Sequence, residues 1–183
     1  FVAPAAGTLR ARYAPTLPEG YSLLEYAESD GTQYVDTGVY ASSSTRVVCD
    51  CAFTRTDVQQ RNGVSKGDST FLWGLESAYQ LHFGSIVYPS WAQREDSGVA
   101  GDCNRHTFDL KCGAQRLDGV RYGTHAFSET ATVPLWLFGT DDGRAAPSYA
   151  CSMRLYNCQV YDGDTLVRNY VPAADPMGRV GVF

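Results

Sequence analysis

Along most of this chain, apolar and polar positions alternate in short runs broken by glycine, aspartate and serine. The clearest run is Thr45 to Thr54, TRVVCDCAFT, which puts Val47, Cys49, Cys51 and Phe53 on one face and Arg46, Val48, Asp50 and Ala52 on the other. A period of two is the mark of a half-buried strand. HTFDLKC alternates in the same way through Phe108, Leu110 and Cys112, and STFLWGLE and AYQLHFGSIVY read as short strands around Ser77. Leu23 to Gly38, LLEYAESDGTQYVDTG, reads as two strands around Asp30-Gly31. Glycine accepts a positive φ there, and aspartate bonds its own backbone. QRLDGVRYG (Gln115 to Gly123) predicts a hairpin about Asp118-Gly119. Cys151 to Tyr161 and Leu166 to Pro172 predict a last hairpin about Asp162-Gly163-Asp164. VPLWLFG is a continuous apolar run suited to a buried strand, and Trp73 and Trp136, in apolar strands, are expected in the core.

The intervals are polar. Asp57 to Ser69 and TDDGRAAPS read as loops, Pro89 to Asn104 as a long irregular stretch, and Phe1 to Pro18, with three prolines, as an extended arm or linker. Within that arm, TLRARY alternates enough to add as an edge strand. No segment sustains helical periodicity. Many short strands joined by turn residues predict an all-β sandwich: an arm over 1–18 and a single domain over 19–183.

Composition narrows the class. The chain has 183 residues, 44% hydrophobic and 13% aromatic, enough for a core and unlike a disordered chain. Its net charge of -5 argues against nucleic acid as a partner. No apolar run approaches the roughly 18 residues that span a bilayer. The first residue, Phe1, is not an initiator Met, so a removed leader or a trimmed chain is expected, and the abrupt GRVGVF end suggests a continuation. Six cysteines suit an oxidising, extracellular compartment. Cys103 with Cys112 and Cys151 with Cys158 lie too far apart along one extended run to bond, and Cys49 and Cys51 sit two apart in one strand. Bridges must then join different segments, which leaves about eight full pairings; the alternative is buried free thiols.

YSLLEYAESDGTQYVDTG resembles the opening of the concanavalin A-like, LamG-like jelly-roll domains of bacterial surface and secreted proteins and some phage proteins. The likeness is carried by Leu24, Glu25, Tyr26, Glu28, Ser29, Gly31, Thr32, Gln33, Tyr34, Asp36, Thr37 and Gly38. VYDGDTLVRNYVPA is similar to that family's late hairpin in Val160, Tyr161, Asp162, Leu166, Val167, Arg168 and Pro172. HTFDL and the QRLDG hairpin sit where the family has a similar strand and turn, so the likeness runs from Gly20 to Phe183. Two features depart from the family: its domains continue past the point where Gly181-Val182-Phe183 ends this chain, and six cysteines are not its hallmark. The resemblance implies a two-sheet antiparallel jelly roll, non-catalytic, extracellular or at the cell surface, with carbohydrate binding as its commonest role. Fold alone does not fix function.

Several residues carry candidate chemistry. Carbohydrate binding needs exposed aromatic rings beside polar groups, and the densest such region runs from Phe71 to Arg94. Trp91, Tyr88 and Arg94 are the sharpest candidates there, with Tyr79 and His82 beside them. Asp141 and Asp142 are a candidate calcium pair, and Asp162 with Asp164 a second that is better explained as a turn. A glycosidase needs two carboxylates flanking the bond; no run of alternating acids supplies them, and no G-x-S-x-G elbow is present. His82, His106 and His125 are scattered and read as structural or exposed. Three functions follow in order: a recognition or adhesion module that binds glycan; a structural module of a surface, filament or phage assembly that meets other proteins or itself through the arm Phe1 to Arg12; and a glycoside hydrolase.

Overall fold

The computed structural model describes residues 16–66, 69–75, 80–87, 95–123, 130–144, 146 and 148–183. In chain order the strands are β1 (Ser22–Leu23), β2 (Ala27–Asp30), β3 (Val35–Asp36), β4 (Thr45–Phe53), β5 (Gln60–Lys66), β6 (Ser69–Leu75), β7 (Gln80–Val87), β8 (Glu95–Ala100) and β9 (Arg105–Lys111). They continue as β10 (Ala114–Leu117), β11 (Val120–Gly123), β12 (Trp136–Leu137), β13 (Thr140–Asp141), β14 (Ser152–Asp162), β15 (Thr165–Tyr170), β16 (Pro172–Ala174) and β17 (Val180–Val182). Among the described residues there is no helix, and so none long and apolar enough to cross a membrane.

Two seven-stranded sheets carry the fold. The first runs β11-β10-β9-β4-β14-β15, with β2 also on β14; the second runs β3-β12-β5-β6-β7-β8, with β13 on β5. A three-stranded sheet, β1-β16-β17, completes the arrangement. Among the described residues, pairing is antiparallel except that β13 lies parallel to β5. The alternation in β4 is the one expected: Val47, Cys49, Cys51 and Phe53 face inward. They meet Phe108 and Leu110 of β9, Met153, Leu155, Cys158 and Val160 of β14, and Val64, Phe71, Trp73, Leu75 and Leu137 of the second sheet. Each large apolar side chain buried in such a core contributes about 1.5–3 kcal/mol. Trp73 and Trp136 are both buried, as their apolar strands predict. The hairpin at Asp118-Gly119 forms with φ of 51° and 82°, the double positive turn that matches strand twist.

Two expectations change, and a third is sharpened. The strands expected on either side of Asp30-Gly31 form, but they do not pair with each other: β2 pairs with β14 in the first sheet and β3 with β12 in the second. The chain crosses between sheets at Asp30-Gly31, where Asp30 Oδ1 accepts the Thr32 amide at 3.0 Å and the Thr32 hydroxyl at 2.6 Å. Asp57 to Ser69 is largely strand β5, in which Gln60, Arg61 and Asn62 are buried and the side-chain oxygens of Gln60 and Asn62 find distant partners. Gln60 Oε1 accepts the Ser152 amide at 2.6 Å, and Asn62 Oδ1 accepts the Phe138 amide at 2.7 Å. The stretch from Pro89 to Asn104 contains β8, paired with β7.

The cysteines are thiols. Cys49, Cys51, Cys151 and Cys158 are buried, Cys112 is half-buried and Cys103 exposed, and none is bonded to another. Bridging is therefore not the use of these residues here. The four buried ones pack as small apolar side chains, Cys49 directly opposite Cys158 across β4 and β14.

Candidate functional site

Burying one face of the first sheet turns the other outward, and that face gathers charge and tyrosine. On β4, Arg46, Val48 and Asp50 point out; on β9, Arg105, Thr107, Asp109 and Lys111 do. Register sets Arg46 opposite Lys111, Val48 opposite Asp109 and Asp50 opposite Thr107. On β14, Arg154, Gln159 and Tyr161 stand opposite Ala52, Val48 and Arg46. Glu28 of β2 lies beside Arg154, and Arg116 of β10 beside Asp109.

A β-bulge marks the middle of this face. Leu155 pairs with Cys51 and Asn157 with Asp50, so Tyr156 is the extra residue. Bulges re-aim side chains and gather near functional sites. The Tyr156 ring meets Tyr26 edge to face, centroids 5.8 Å apart. The Arg105 guanidinium carbon lies 3.9 Å from the Tyr156 centroid, and that of Arg154 lies 4.8 Å from the Tyr26 centroid. Arg105 grips Asp50 with two hydrogen bonds, Nε to Oδ1 at 2.7 Å. Arg154 Nε donates to Glu28 Oε2 at 2.7 Å. The result is one connected row: Glu28, Arg154, Tyr26, Tyr156, Arg105, Asp50.

Farther along the face, Arg46 donates to both oxygens of Asp109, at 2.7 and 2.9 Å, while Arg116 Nη1 stands 3.8 Å from the same carboxylate. Arg46 also lies over Tyr161, whose hydroxyl donates to Gln159 Oε1 at 2.9 Å. Exposed ion pairs contribute about 0–1 kcal/mol and exposed cation–π contacts about 0.5–1 kcal/mol. These contacts therefore add little to the fold. Their effect is to give Arg154, Tyr26, Tyr156 and Arg105 two neighbours each, which limits the conformations those side chains would lose on binding.

At the rim, His106 faces inward on β9 and is held at both ring nitrogens. Nδ1 lies 2.6 Å from Asp118 Oδ2 and Nε2 lies 2.9 Å from Asp102 Oδ1. Asp118 also accepts the Thr107 amide at 2.8 Å, and Asp102 the Asn104 amide at 2.8 Å. Both ionised carboxylates can only accept, so the geometry suits a ring protonated at both nitrogens. Burial works against the charged ring, but the hydrogen bonds to Asp118 and Asp102 outweigh it and raise the His106 pKa. For Asp102, burial is likewise outweighed by hydrogen bonds from His106 and Asn104, and its pKa falls. His106 thus ties the segment before β9 to the β10–β11 turn, a structural role.

Of the residues singled out in the sequence, Trp91, Tyr88, Arg94 and Tyr79 lie outside the described residues, as does His125. His82 lies on β7, opposite Gly74 of β6, with its side chain outside the described set. Asp141 and Asp142 follow β12 and use their oxygens locally. Asp141 Oδ1 accepts the Gly143 amide at 2.7 Å, and Asp142 accepts the Arg144 amide at 3.1 Å and the Ser148 hydroxyl at 2.5 Å. Among the described residues, no group of three or more His, Cys, Asp or Glu is placed to hold a metal ion. Asp162 accepts a hydroxyl hydrogen bond from Ser44, beside a turn in which Gly163 has a φ of 59°. No local pattern in the sequence marks the row on the outer sheet face, because its members come from four strands and, for Tyr26, from the segment before β2. The outward alternation of Arg105, Thr107, Asp109 and Lys111 was the available signal; the strand pairing was not.

No protein-family model matches this chain, and no curated protein sequence matches it significantly.

Proposed function

We propose that this chain is a non-catalytic recognition module of the concanavalin A-like, jelly-roll type, acting outside the cell or on its surface, and that the outer face of its first sheet binds carbohydrate. The supporting observation is the row Glu28, Arg154, Tyr26, Tyr156, Arg105, Asp50. Sugars present hydroxyls that both donate and accept beside apolar ring faces. A carboxylate next to a guanidinium offers both partners, and a half-buried tyrosine offers apolar surface. Glu28, Asp50 and Asp109 on this face each accept from an arginine, an arrangement suited to holding a ligand. Glycan-array screening followed by calorimetry tests this. Binding should be lost in Tyr156→Ala and weakened in Arg105→Ser, with the fold intact by circular dichroism. Binding that survives both and disappears in Trp91→Ala moves the site to the segment before β8. Absence of any glycan ligand refutes the reading, and polysaccharide cleavage by pure protein would make the chain a hydrolase.

A second reading, an assembly module that contacts other protein chains, is favoured by one observation. The three-stranded sheet exposes Leu23 and Val180, with Phe183 and Met177 also exposed nearby in the chain and Phe183 set edge to face against Tyr21 at 4.7 Å. Concentration-dependent association that is lost on deleting Phe1 to Arg12 would support it over the glycan reading.

A further inference from the structure

The tyrosine row is one unit used twice. In the first unit Glu28 accepts from Arg154 at 2.7 Å, and the Arg154 guanidinium carbon lies 4.8 Å from the Tyr26 centroid. In the second, Asp50 accepts from Arg105 at 2.7 Å, and the Arg105 guanidinium carbon lies 3.9 Å from the Tyr156 centroid. The units run in opposite directions and meet where Tyr26 and Tyr156 touch edge to face. Along the face the order is carboxylate, guanidinium, tyrosine, then tyrosine, guanidinium, carboxylate. Register sets Arg105 and Arg154 on either side of Ala52, so their Cα atoms stand two strand spacings, about 9–10 Å, apart.

The charges of the row close on themselves. Its two guanidiniums meet its two carboxylates, and the exposed Glu25 adds a further negative field at Arg105. An anionic ligand would have to take an arginine from Glu28 or Asp50, and a cationic one would have to take a carboxylate from its arginine. A hydroxyl does neither. A guanidinium has five N–H donors and a carboxylate room for about four, so each pair can receive a hydroxyl without parting.

We infer that this face carries two equivalent subsites, one on each unit, and that its ligand is an uncharged glycan held through two sugar residues. The inference rests on the carbohydrate reading above and narrows its ligand class. Each unit holds the full set one sugar needs: a donor, an acceptor and apolar ring surface. Internal charge compensation argues for the neutral ligand, and the duplication argues for two residues.

The test begins with affinity electrophoresis of the whole chain through gels containing laminarin, galactomannan, soluble starch or polygalacturonate, at low and at physiological ionic strength. Retardation by a neutral polymer is expected, and it should not fall as salt rises, because salt screens charges and not hydroxyl contacts. Calorimetry then titrates the monosaccharide, disaccharide and trisaccharide of the backbone that retards most. Linking two binding units gains about 10²–10⁴ in affinity, so the disaccharide should bind about a hundredfold more tightly than the monosaccharide and the trisaccharide about as tightly as the disaccharide. Arg154→Ser and Arg105→Ser should each bring the disaccharide down toward the monosaccharide, by similar factors. Arg55→Ser, which removes an exposed cation elsewhere, should leave binding unchanged. If either arginine variant does not fold, Glu28→Gln/Asp50→Asn keeps the side-chain shapes, leaves both guanidiniums without their carboxylates, and should make the chain newly retarded by polygalacturonate in low salt. Equal affinities for monosaccharide and disaccharide overturn the paired subsites and leave the recognition reading standing. Retardation by polygalacturonate alone overturns the uncharged class and also leaves that reading standing. No retardation by any of the four polymers overturns the two together.

Discussion

Gly63 of β5 is where the second sheet is most tightly drawn together, and replacing it with alanine should be among the costliest small changes in the chain. Its φ is +116°, a region open to glycine and strained for other residues. A Cβ there would lie 1.9 Å from the Phe71 carbonyl oxygen and 3.0 Å from its carbon. The obstacle is backbone, not a movable side chain, and β5 cannot retreat. On its far side Gly63 faces Trp136 of β12 and Thr140 of β13, and its amide donates to the Gly139 carbonyl at 3.1 Å. The φ strain costs about 1–3 kcal/mol, and separating β5 from β6 by more than an ångström raises the total to about 3–5 kcal/mol. Against a whole-domain stability of about 5–15 kcal/mol, that loss shows directly in urea unfolding as a lower midpoint at unchanged slope. Gly119→Ala is the control, since its φ is +82° but nothing lies within 4 Å of the added methyl. It carries only the left-handed strain, about 1–2 kcal/mol. Equal midpoints for the two variants would refute the close approach of β5 and β6. Gly74→Ala, with its Cβ 2.0 Å from the Gln60 oxygen, should behave like Gly63→Ala.

Other expectations follow from named contacts. The His106 pKa is raised by folding, so its contribution is complete below the unfolded value near 6.5 and is lost as pH climbs through the folded value. The stability gap between the native chain and His106→Gln, measured by urea unfolding, should therefore shrink from pH 6 upward; a gap that widens means the ring is neutral in the clasp. Asn62→Leu leaves the buried Phe138 amide, in a residue with φ of 64°, without its acceptor and should cost about 1–3 kcal/mol by the same assay. Alkylation read by mass spectrometry should modify the exposed Cys103 first and leave Cys49, Cys51, Cys151 and Cys158 protected until unfolding. Burial pushes the Cys151 thiol well above its ordinary range and slows it further. A mass two units below that of the fully reduced chain, before any reductant is added, would show a bridge instead.

The parts of the fold that were legible in the sequence are those whose physics is local. The faces of Thr45–Phe53 follow from alternation alone, and the Asp118-Gly119 turn follows from the two residues that tolerate positive φ. Strand β5 was hidden because Gln60, Arg61 and Asn62 look like surface, yet all three are buried. Their partners, Ser152 and Phe138, lie 92 and 76 residues away, beyond any local pattern. The candidate site was hidden for the same reason. Each of its strands announces an outward polar face, but only the pairing of β2, β14, β4 and β9 assembles Glu28, Tyr26, Tyr156 and Arg105 into one row. Aromatic density along the sequence points instead to Trp91 and its neighbours, outside the described residues.

The crossing at Asp30-Gly31 bears on the order in which the chain acquires its shape. Strand β2 is held by β14: Ser152 Oγ donates to the Asp30 carbonyl across 122 residues, and Arg154 to Glu28 across 126. A ribosome delivers residues from the N-terminus at about 5–20 per second. The opening segment therefore waits several seconds for its partner strand, with Tyr26 and Ala27 lacking the neighbours they have in the finished sheet. Such long-range closure slows folding and prolongs exposure of unpaired strand edges. The most recognisable phrase of the sequence is synthesised well before the strand that secures it, and truncation before β14 should leave it without a place to dock.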